Sequence, residues 1–319
     1  MKASYQIKDG SIIPVTDERA EVLVYVSPTD DDKRQIIDTL HLDRHDLESA
    51  LDPDEISRLQ LSPDCLSVIW KRPMNASFDQ QMRLDVSSVG FFLYQDKLLI
   101  ITNEDSLPFS SKEFQGVTTS VDILLRFLRH TVHHYLSHLK AIKQLTVELE
   151  SKISASMENR YLLQMFALGE SLVYYLNAIE ANGGVLSKLR ASAEKISLSR
   201  QQMEFLDDTA LDNQQCARQA QIYSTVLSGL MDARGTIINN NMNVLLKNLT
   251  LINVIFLPLN LIASIGGMSE FSLMTKGVDW RIAYSLLGVG MVLLGWATWK
   301  VLVRIIDKRQ RRIRRVSAR

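Results

Sequence analysis

Residues Leu249–Met268 read LTLINVIFLPLNLIASIGGM, a run of twenty residues without a charged side chain. Lys247 stands just before this run, and Glu270 stands just after it. At about 1.5 Å of rise per residue, a helix of this length spans roughly 30 Å, which is the thickness of the hydrocarbon core of a bilayer. The run therefore predicts a transmembrane helix.

A second uncharged run, Ile282–Trp299, lies between Arg281 and Lys300. Its two tryptophans are near one end, where an aromatic belt is expected. No other charge-free run approaches these two in length. Two buried core helices are the alternative, but glycine-rich runs of this length without charge are rare in soluble proteins. The two runs therefore favour a membrane hairpin.

The charges around the hairpin predict its orientation. Nine of the residues from Lys300 to Arg319 are Lys or Arg, whereas the connector Ser269–Arg281 is short and roughly neutral. The positive-inside rule places the basic tail in the cytoplasm, and a hairpin returns the N-terminal 240 or so residues to the same side. We therefore expect a multi-pass protein of a bacterial-type inner (plasma) membrane with both termini cytoplasmic.

The same tail bears on the choice of partners. The tail could instead serve to bind nucleic acid or anionic lipids. Its position directly after a membrane helix favours a role in fixing the orientation of the protein in the membrane and in contacting lipid. Without its nine basic residues and one acid, 27 basic and 35 acidic residues remain. Because the chain without this tail is acidic, its composition argues against nucleic-acid binding by the main domain.

The region before the hairpin is predicted to be mixed α/β and then helical. Four short runs rich in β-branched and aromatic residues predict strands, the last two joined as a hairpin at Gln95-Asp96: Glu21–Ser27, Leu66–Lys71, Val89–Tyr94 and Lys97–Thr102. Apolar residues then recur at spacings of three and four from Val121 to Ile153. The fold class is therefore α+β, with a cytoplasmic α/β N-terminal domain and two C-terminal transmembrane helices.

Two further long helices follow in the prediction. One runs from about Tyr161 to Leu189, with Asn182–Gly184 as a candidate interruption. The other begins near Leu198 and meets no proline before Pro258, so it is predicted as a single helix of about seventy residues that continues into the first span. A helix of this length needs partners along its course, which indicates an oligomeric bundle.

Polar residues along this last helix are not scattered. Projected at 100° per residue, six of them fall within a sector of about 100°: Asn239, Asn243, Thr250, Asn253, Asn260 and Ser264. Asn240, Asn241 and Asn248 lie off this face. Such groups inside a span either hold helices together or line a water-filled path. A stripe of about 25 residues favours a pore wall, while helix adhesion remains the alternative.

The chemistry of this stripe favours cations. Amide and hydroxyl oxygens suit a hard ion or its water shell, and Mg²⁺ gives up its water reluctantly. Leu246, Leu249 and Leu257 interleave with the polar groups. Apolar constrictions of this kind can gate a pore by dewetting.

Three stretches of the chain resemble the CorA family of divalent-cation transporters, with the CmaX-like branch as a candidate subgroup. They occur in the family's order and are followed by the two-span hairpin: HDLESALDPDEISRLQ (His45–Gln60), ESLVYYLNAIEANGGVLSKL (Glu170–Leu189) and NNNMNVLLKNLTLINVIFLPLNLIASIGGMSEF (Asn239–Phe271). The resemblance implies a homopentamer with a cytoplasmic α/β funnel domain and pore-lining stalk helices. It also implies transport of divalent cations such as magnesium, with no other cofactor.

The resemblance carries over to individual positions. The family's Gly-Met-Asn signature, which receives hydrated magnesium, corresponds here to Gly267, Met268 and Ser269, and an acidic Met-Pro-Glu corresponds to Met274-Thr275-Lys276. A serine hydroxyl reaches less far than an asparagine amide, so we expect weaker selection of magnesium and passage of zinc, cobalt or nickel. Five positions match pore-lining sites of the family: Asn243, Leu246, Leu249, Leu257 and Asn260. Asp232 matches an acid associated with regulatory cation binding between subunits.

Other clusters offer weaker alternatives. His130, His134 and His138 follow one another at intervals of four residues, a spacing that suits zinc, but a solvated helix face is the favoured interpretation. The acidic runs Asp30–Asp32 and Asp52–Glu55 could take part in cytoplasmic cation sensing, although such runs more often start helices and turns.

Two functional classes follow from the sequence. The first is a passive channel or transporter for divalent cations, and the second is a non-conducting membrane scaffold or regulator. The chain lacks Walker A, GxSxG and HExxH motifs, so an enzyme is not expected. The predicted division is a cytoplasmic α/β domain at 1–116, a helical hairpin at 117–196, a stalk at 197–248, spans at 249–268 and 282–303, an external loop at 269–281 and a basic tail at 304–319.

Overall fold

The computed structural model describes residues 1–16, 20–74, 84–94, 97–105, 107–155 and 159–316. The predicted Gln95-Asp96 connection and residues 317–319 of the basic tail lie outside the described residues. The chain forms two compact units, Met1–Asp232 and Ala233–Arg319.

The first unit contains a seven-stranded sheet. Its strands are β1 (Lys2–Lys8), β2 (Ser11–Pro14), β3 (Val22–Val26), β4 (Arg58–Leu61), β5 (Leu66–Pro73), β6 (Val86–Tyr94) and β7 (Lys97–Thr102). Their order in the sheet is β2-β1-β3-β7-β6-β5-β4. Strands β3 and β7 pair in parallel, and the other neighbours pair antiparallel. The four predicted strands are confirmed, and the described residues contain three more.

Helices account for most of the remaining described chain. Two short 3₁₀ turns, Pro108–Ser110 and Lys112–Phe114, precede the first long helix. The helices are α1 (Asp30–Leu40), α2 (Arg44–Leu51), α3 (Ser120–Ala155), α4 (Asn159–Ala191), α5 (Arg200–Gly266), α6 (Ser269–Met274) and α7 (Trp280–Val316). The predicted single long helix is confirmed, because α5 has 67 residues. Helix α4 passes through Asn182–Gly184 without a break, so the interruption predicted there is wrong.

Both faces of the sheet are buried, because successive side chains of a strand point to opposite faces. On β7, Ile100 packs into a core that includes Leu128 of α3 and Tyr175 of α4. Its neighbour Ile101 packs on the other face, in a smaller core that includes Ile36 of α1 and Leu47 of α2. Helices α3 and α4 therefore cover one face of the sheet, and α1 and α2 cover the other.

Within the described residues, three helices are long and apolar enough to cross a membrane: α4, α5 and the Trp280–Arg304 part of α7. The most apolar stretch of α4 is 39% buried inside the protein, compared with 6% for α5 and 0% for α7. Because α4 contributes Tyr175, Ile179 and Leu186 to the core of the first unit, packing explains its apolar residues. The predicted hairpin therefore corresponds to the C-terminal part of α5 and to α7.

Candidate functional site

The polar stripe lies on an open face of α5. All six of its members are exposed in the single chain. The side-chain amides of Asn243, Asn253 and Asn260 have no hydrogen-bond partner within the described part of the chain. The hydroxyl of Thr250 donates to the carbonyl oxygen of Leu246 at 2.8 Å, so its oxygen remains able to accept a hydrogen bond or bind a cation.

The opposite side of α5 packs against α7. Leu251, Ile255, Pro258, Leu259 and Ile262 are half-buried, and at 100° per residue they lie on the helix face roughly opposite the stripe. Contacts between the two helices come from this side, because a Cβ atom added at Gly295 of α7 would lie 3.5 Å from the Leu259 side chain. The stripe therefore faces away from the second span of its own chain.

The three predicted leucines of the gate are also open. Leu246, Leu249 and Leu257 are 52%, 56% and 71% exposed. Large apolar side chains at these exposures would be covered either by lipid or by another copy of the chain. Leu246 and Leu257 project into the same sector as the polar stripe, so whatever meets the stripe also meets these leucines.

Gly267 and Met268 form the turn between α5 and α6, and Ser269 is the first residue of α6. The last four carbonyl groups of a helix have no partner within the helix. Here Gly267 N donates to the carbonyl oxygens of Ala263 and Ser264, and Met268 N donates to that of Ile265. The carbonyl oxygen of Gly266 accepts a hydrogen bond from the hydroxyl of Tyr284 on α7 at 3.1 Å. Each of the last four carbonyl oxygens of α5 therefore accepts a hydrogen bond.

Two apolar contacts hold the same turn. The ring of Phe271 in α6 meets the ring of Tyr284 edge to face, with centroids 5.7 Å apart. A Cβ atom at Gly266 would lie only 2.5 Å from Cδ2 of Leu287, so α5 and α7 approach closely where a side chain is missing. Sequence reasoning missed Tyr284, Phe271 and Leu287. Their sole signal is aromatic and apolar character close to the predicted external loop.

Asp232 is an exposed residue of α5 at the end of the first unit. Among the described residues, no group of three or more His, Cys, Asp or Glu side chains is arranged to hold a metal ion. Asp232 therefore does not belong to such a group within the described residues.

The histidines of α3 are only partly solvated: His138 is buried, and His130, His133 and His134 are partly buried, so the interpretation of a fully solvated face is wrong. The carboxylate of Glu113 contacts Nδ1 of His130 at 2.6 Å and Nδ1 of His133 at 2.9 Å. His138 is buried, and its Nδ1 lies 2.7 Å from the Tyr175 hydroxyl. Burial alone would raise the pKa of Glu113, but hydrogen bonds from both imidazoles outweigh it and lower that pKa. His134 adjoins this group, and burial, together with the charges of His138, His130 and Arg72, lowers its pKa to about 4.

The two acidic runs have structural roles. Thr29 and Asp32 form a capping box at the start of α1, with Asp32 N bonded to Thr29 Oγ1 and Thr29 N bonded to Asp32 Oδ2. In the second run, Glu55 pairs with Arg58 at 2.7 Å. The carbonyl of Pro53 accepts a hydrogen bond from Nζ of the buried Lys71. These contacts favour the helix-start and turn interpretation over cation sensing.

Known proteins share this architecture over most of its length. A cobalt/magnesium transport protein CorA from Methanocaldococcus jannaschii is 25% identical over 279 residues, which cover 82% of this chain and 86% of the relative. The complete structure of the CorA magnesium transporter from the same organism superimposes with a TM-score of 0.75 at 23% identity, covering 95% of this chain and 98% of that one.

The full-length CmaX protein shares the fold, with a TM-score of 0.68 at 13% identity over 94% of this chain and 96% of its own. Residues 23–309 match the protein family described as CorA-like Mg²⁺ transporter protein. This match includes strands β4 to β7 and nearly all of β3, most of the long helices, the polar stripe and the segment Gly267–Ser269. The chain therefore belongs to the family of CorA-like Mg²⁺ transporter proteins.

Proposed function

We propose that the chain is one subunit of a homopentameric membrane channel that passes divalent cations down their electrochemical gradient. The observation that carries this proposal is the exposed polar stripe of α5, which faces away from α7. Inside a bilayer, unpartnered amides are costly unless other polar groups or water meet them. A closed ring of copies around a central axis supplies that setting, because each stripe then faces enclosed water. The number five comes from the family resemblance.

Asn243, Asn253 and Asn260 are proposed as successive amide rings along the pore. Neutral oxygens suit a hydrated divalent cation, because they accept hydrogen bonds from its water shell without holding the bare ion too tightly. The rings of Leu246, Leu249 and Leu257 are proposed as the gate, which closes when the apolar constriction loses its water.

Gly267, Met268 and Ser269 are proposed as the outer mouth of the filter. Ser269 offers a hydroxyl where the family signature has an amide, so its ring holds hydrated magnesium less firmly. We therefore propose a channel with weak preference for magnesium that also admits cobalt, nickel or zinc. The cobalt/magnesium description of the relative from Methanocaldococcus jannaschii agrees with a mixed selectivity.

Both termini are proposed to lie in the cytoplasm of a bacterial-type inner (plasma) membrane. The basic residues from Lys300 to Arg319 support this orientation through the positive-inside rule and through attraction to anionic lipid headgroups. In this arrangement Asp232 lies on the cytoplasmic side. We propose that a divalent cation between the Asp232 carboxylates of neighbouring subunits stabilises the closed state, since those carboxylates otherwise repel one another.

Metal flux into liposomes tests the proposal. Purified protein reconstituted with a fluorescent metal indicator inside the vesicles is expected to admit Mg²⁺, Co²⁺ and Ni²⁺ without nucleotide or a proton gradient, and native mass spectrometry is expected to give a pentamer. Ser269→Asn is expected to increase the preference for Mg²⁺. A stable pentamer without flux of any tested ion would favour a non-conducting scaffold, and a stable dimer would contradict the ring.

A further inference from the structure

Backbone hydrogen bonds from Gly267 N and Met268 N to carbonyl oxygens of α5 hold the turn that carries Gly267, Met268 and Ser269. Gly266 ends α5 and Gly267 follows it, and glycine gives the backbone more freedom than any other residue. Met268 occupies the N-cap position of α6, and no side chain caps that helix by a hydrogen bond. Contacts from α7 therefore add to the local backbone hydrogen bonds in fixing the conformation of this turn.

Tyr284 supplies contacts on both sides of the triplet. Its hydroxyl donates to the carbonyl oxygen of Gly266, the residue just before the triplet, at 3.1 Å. Its ring meets Phe271, two residues after the triplet, with centroids 5.7 Å apart and planes inclined by 70°. One side chain of α7 therefore contacts both flanks of the proposed filter.

We propose that Tyr284 is a positioning residue that holds the Gly267–Ser269 turn in the geometry needed to bind the incoming ion. This inference rests on the proposed function, since it assigns Tyr284 to the selectivity of that same site. The ring of five Ser269 hydroxyls has a defined diameter only when each turn is fixed against its own α7. A looser turn lets each hydroxyl move, so the ring binds the hydrated ion less well.

The two contacts of Tyr284 have different physical origins and can be removed separately. Tyr284→Phe deletes the hydroxyl, so the carbonyl oxygen of Gly266 at the C-terminal end of α5 loses its hydrogen bond from Tyr284. The ring contact with Phe271 remains. Phe271→Leu removes the aromatic pair and keeps the hydrogen bond. Thr298→Val is the matched control, because Thr298 of α7 donates only within its own helix, to the carbonyl oxygens of Leu294 and Gly295.

Hydrogen–deuterium exchange of the full chain in nanodiscs tests the contact without relying on transport. Tyr284→Phe is expected to speed exchange of the amides of residues 266–271 by about fivefold, the factor that corresponds to about 1 kcal/mol for one net hydrogen bond. Phe271→Leu is expected to speed exchange mainly after Ser269, and Thr298→Val is expected to match the parent protein. Exchange at parent rates in Tyr284→Phe would overturn the inference.

Flux into proteoliposomes tests the link to ion binding. Tyr284→Phe is expected to raise the half-saturating concentration of external Mg²⁺ by about the same fivefold factor, with the yield of assembled protein unchanged. A Mg²⁺ dependence identical to that of the parent would overturn the positioning role even if exchange increased. If the parent itself passes no divalent ion, the proposed function fails, and the exchange measurement alone decides whether Tyr284 fixes the turn.

Discussion

Asn182 of α4 forms two hydrogen bonds with the backbone of Lys71 on β5: its Oδ1 accepts from Lys71 N at 3.1 Å, and its Nδ2 donates to Lys71 O at 2.8 Å. The pairing of β4 with β5 ends at Ile69. Beyond this residue, the side chain of Asn182 forms the hydrogen bonds to the backbone of β5 that a neighbouring strand would otherwise form. The same Oδ1 also accepts from Ser57 Oγ at 2.7 Å. Because Asn182 is fully buried, water cannot replace these bonds.

We expect Asn182→Ala to lower the free energy of unfolding by about 3 kcal/mol, since it leaves a buried backbone amide, a carbonyl and a hydroxyl unsatisfied. Thermal unfolding of the full chain in detergent, followed by circular dichroism, measures this loss. Ser187→Ala is the control, because Ser187 is exposed and bonds only to Gly183 of its own helix. Equal midpoints for the two variants would contradict the role of Asn182.

Gly266→Ala is expected to disturb the contact between α5 and α7. The added Cβ would lie 2.5 Å from Leu287 Cδ2, and overpacking of this kind typically costs about 1–3 kcal/mol. The second substitution in Gly266→Ala/Leu287→Ala removes the obstructing methyl groups, so we expect part of the lost thermal stability to return. Gly288→Ala adds the same methyl group at a position where no side chain of the described residues lies within 4 Å, and it is expected to be neutral. A double variant no more stable than Gly266→Ala would rule out this steric explanation.

Stability is expected to fall on mild acidification because of His134. Its folded pKa is lowered from an ordinary value of about 6.5 to about 4, so the folded protein favours the neutral ring. The stabilising contribution of the neutral ring is complete above about pH 6.5 and is lost as the pH falls towards 4. His130, His138 and Arg72 face this ring and favour the same neutral form.

The measurement is the difference in thermal midpoint between pH 7 and pH 5. His134→Asn is expected to reduce this difference relative to the parent, whereas substitution of the exposed His45 by Asn is expected to leave it unchanged. Since His134 is partly exposed, water screens part of the effect. An unaltered pH dependence in His134→Asn would exclude this imidazole as the source.

Asp232→Ala is expected to weaken inhibition by cytoplasmic cations. Without the carboxylates, internal Mg²⁺ has less to bind between subunits, so the closed state loses its additional stabilisation. The dose response of flux to Mg²⁺ on the cytoplasmic side should shift to several-fold higher concentrations. Asp208→Ala removes another exposed acid of α5 and serves as the control. Identical dose responses in Asp232→Ala and the parent would remove Asp232 from the mechanism.

The sequence predicted the strands that form the middle of the sheet, but not β1, β2 or β4. The middle strands are runs of β-branched and aromatic residues, because both faces of the sheet are buried there. KASYQIK in β1 and RLQL in β4 mix apolar with charged and polar residues, which suits partly exposed positions towards the sheet edges. Local composition alone does not distinguish such strands from loops.

Tertiary contacts also explain why α4 continues through Asn182–Gly184. The pair Gly183-Gly184 weakens a helix locally, yet Asn182 is fixed to β5 by its side chain. A Cβ atom at Gly183 would lie 3.1 Å from Nδ2 of Asn213 on α5, so glycine permits a close approach of the two helices. Contacts with residues that are distant in sequence therefore outweigh the low helix propensity of these two glycines.

Only those features of the candidate site that depend on residue spacing along a single helix could be predicted from the sequence. The polar stripe follows from residue spacing, because one helix fixes the directions of all its side chains. The contact between Tyr284 and Gly266 depends on the rotation of α7 about its own axis, and the spacing of residues does not fix that rotation. For the same reason, the pairing of Glu113 with His130 and His133 could not be anticipated, since the glutamate comes from a separate segment.

We propose above that one face of α5 lines a path for divalent cations. Comparing Mg²⁺ and Co²⁺ flux into proteoliposomes for Asn260→Ala and Asn248→Ala tests it most directly, because both substitutions shorten an exposed amide of the same helix and only Asn260 belongs to the stripe. We predict that Asn260→Ala reduces flux of both ions by about tenfold or more, which corresponds to about 1.4 kcal/mol, while Asn248→Ala conducts like the parent. Equal flux through the two variants would contradict the account.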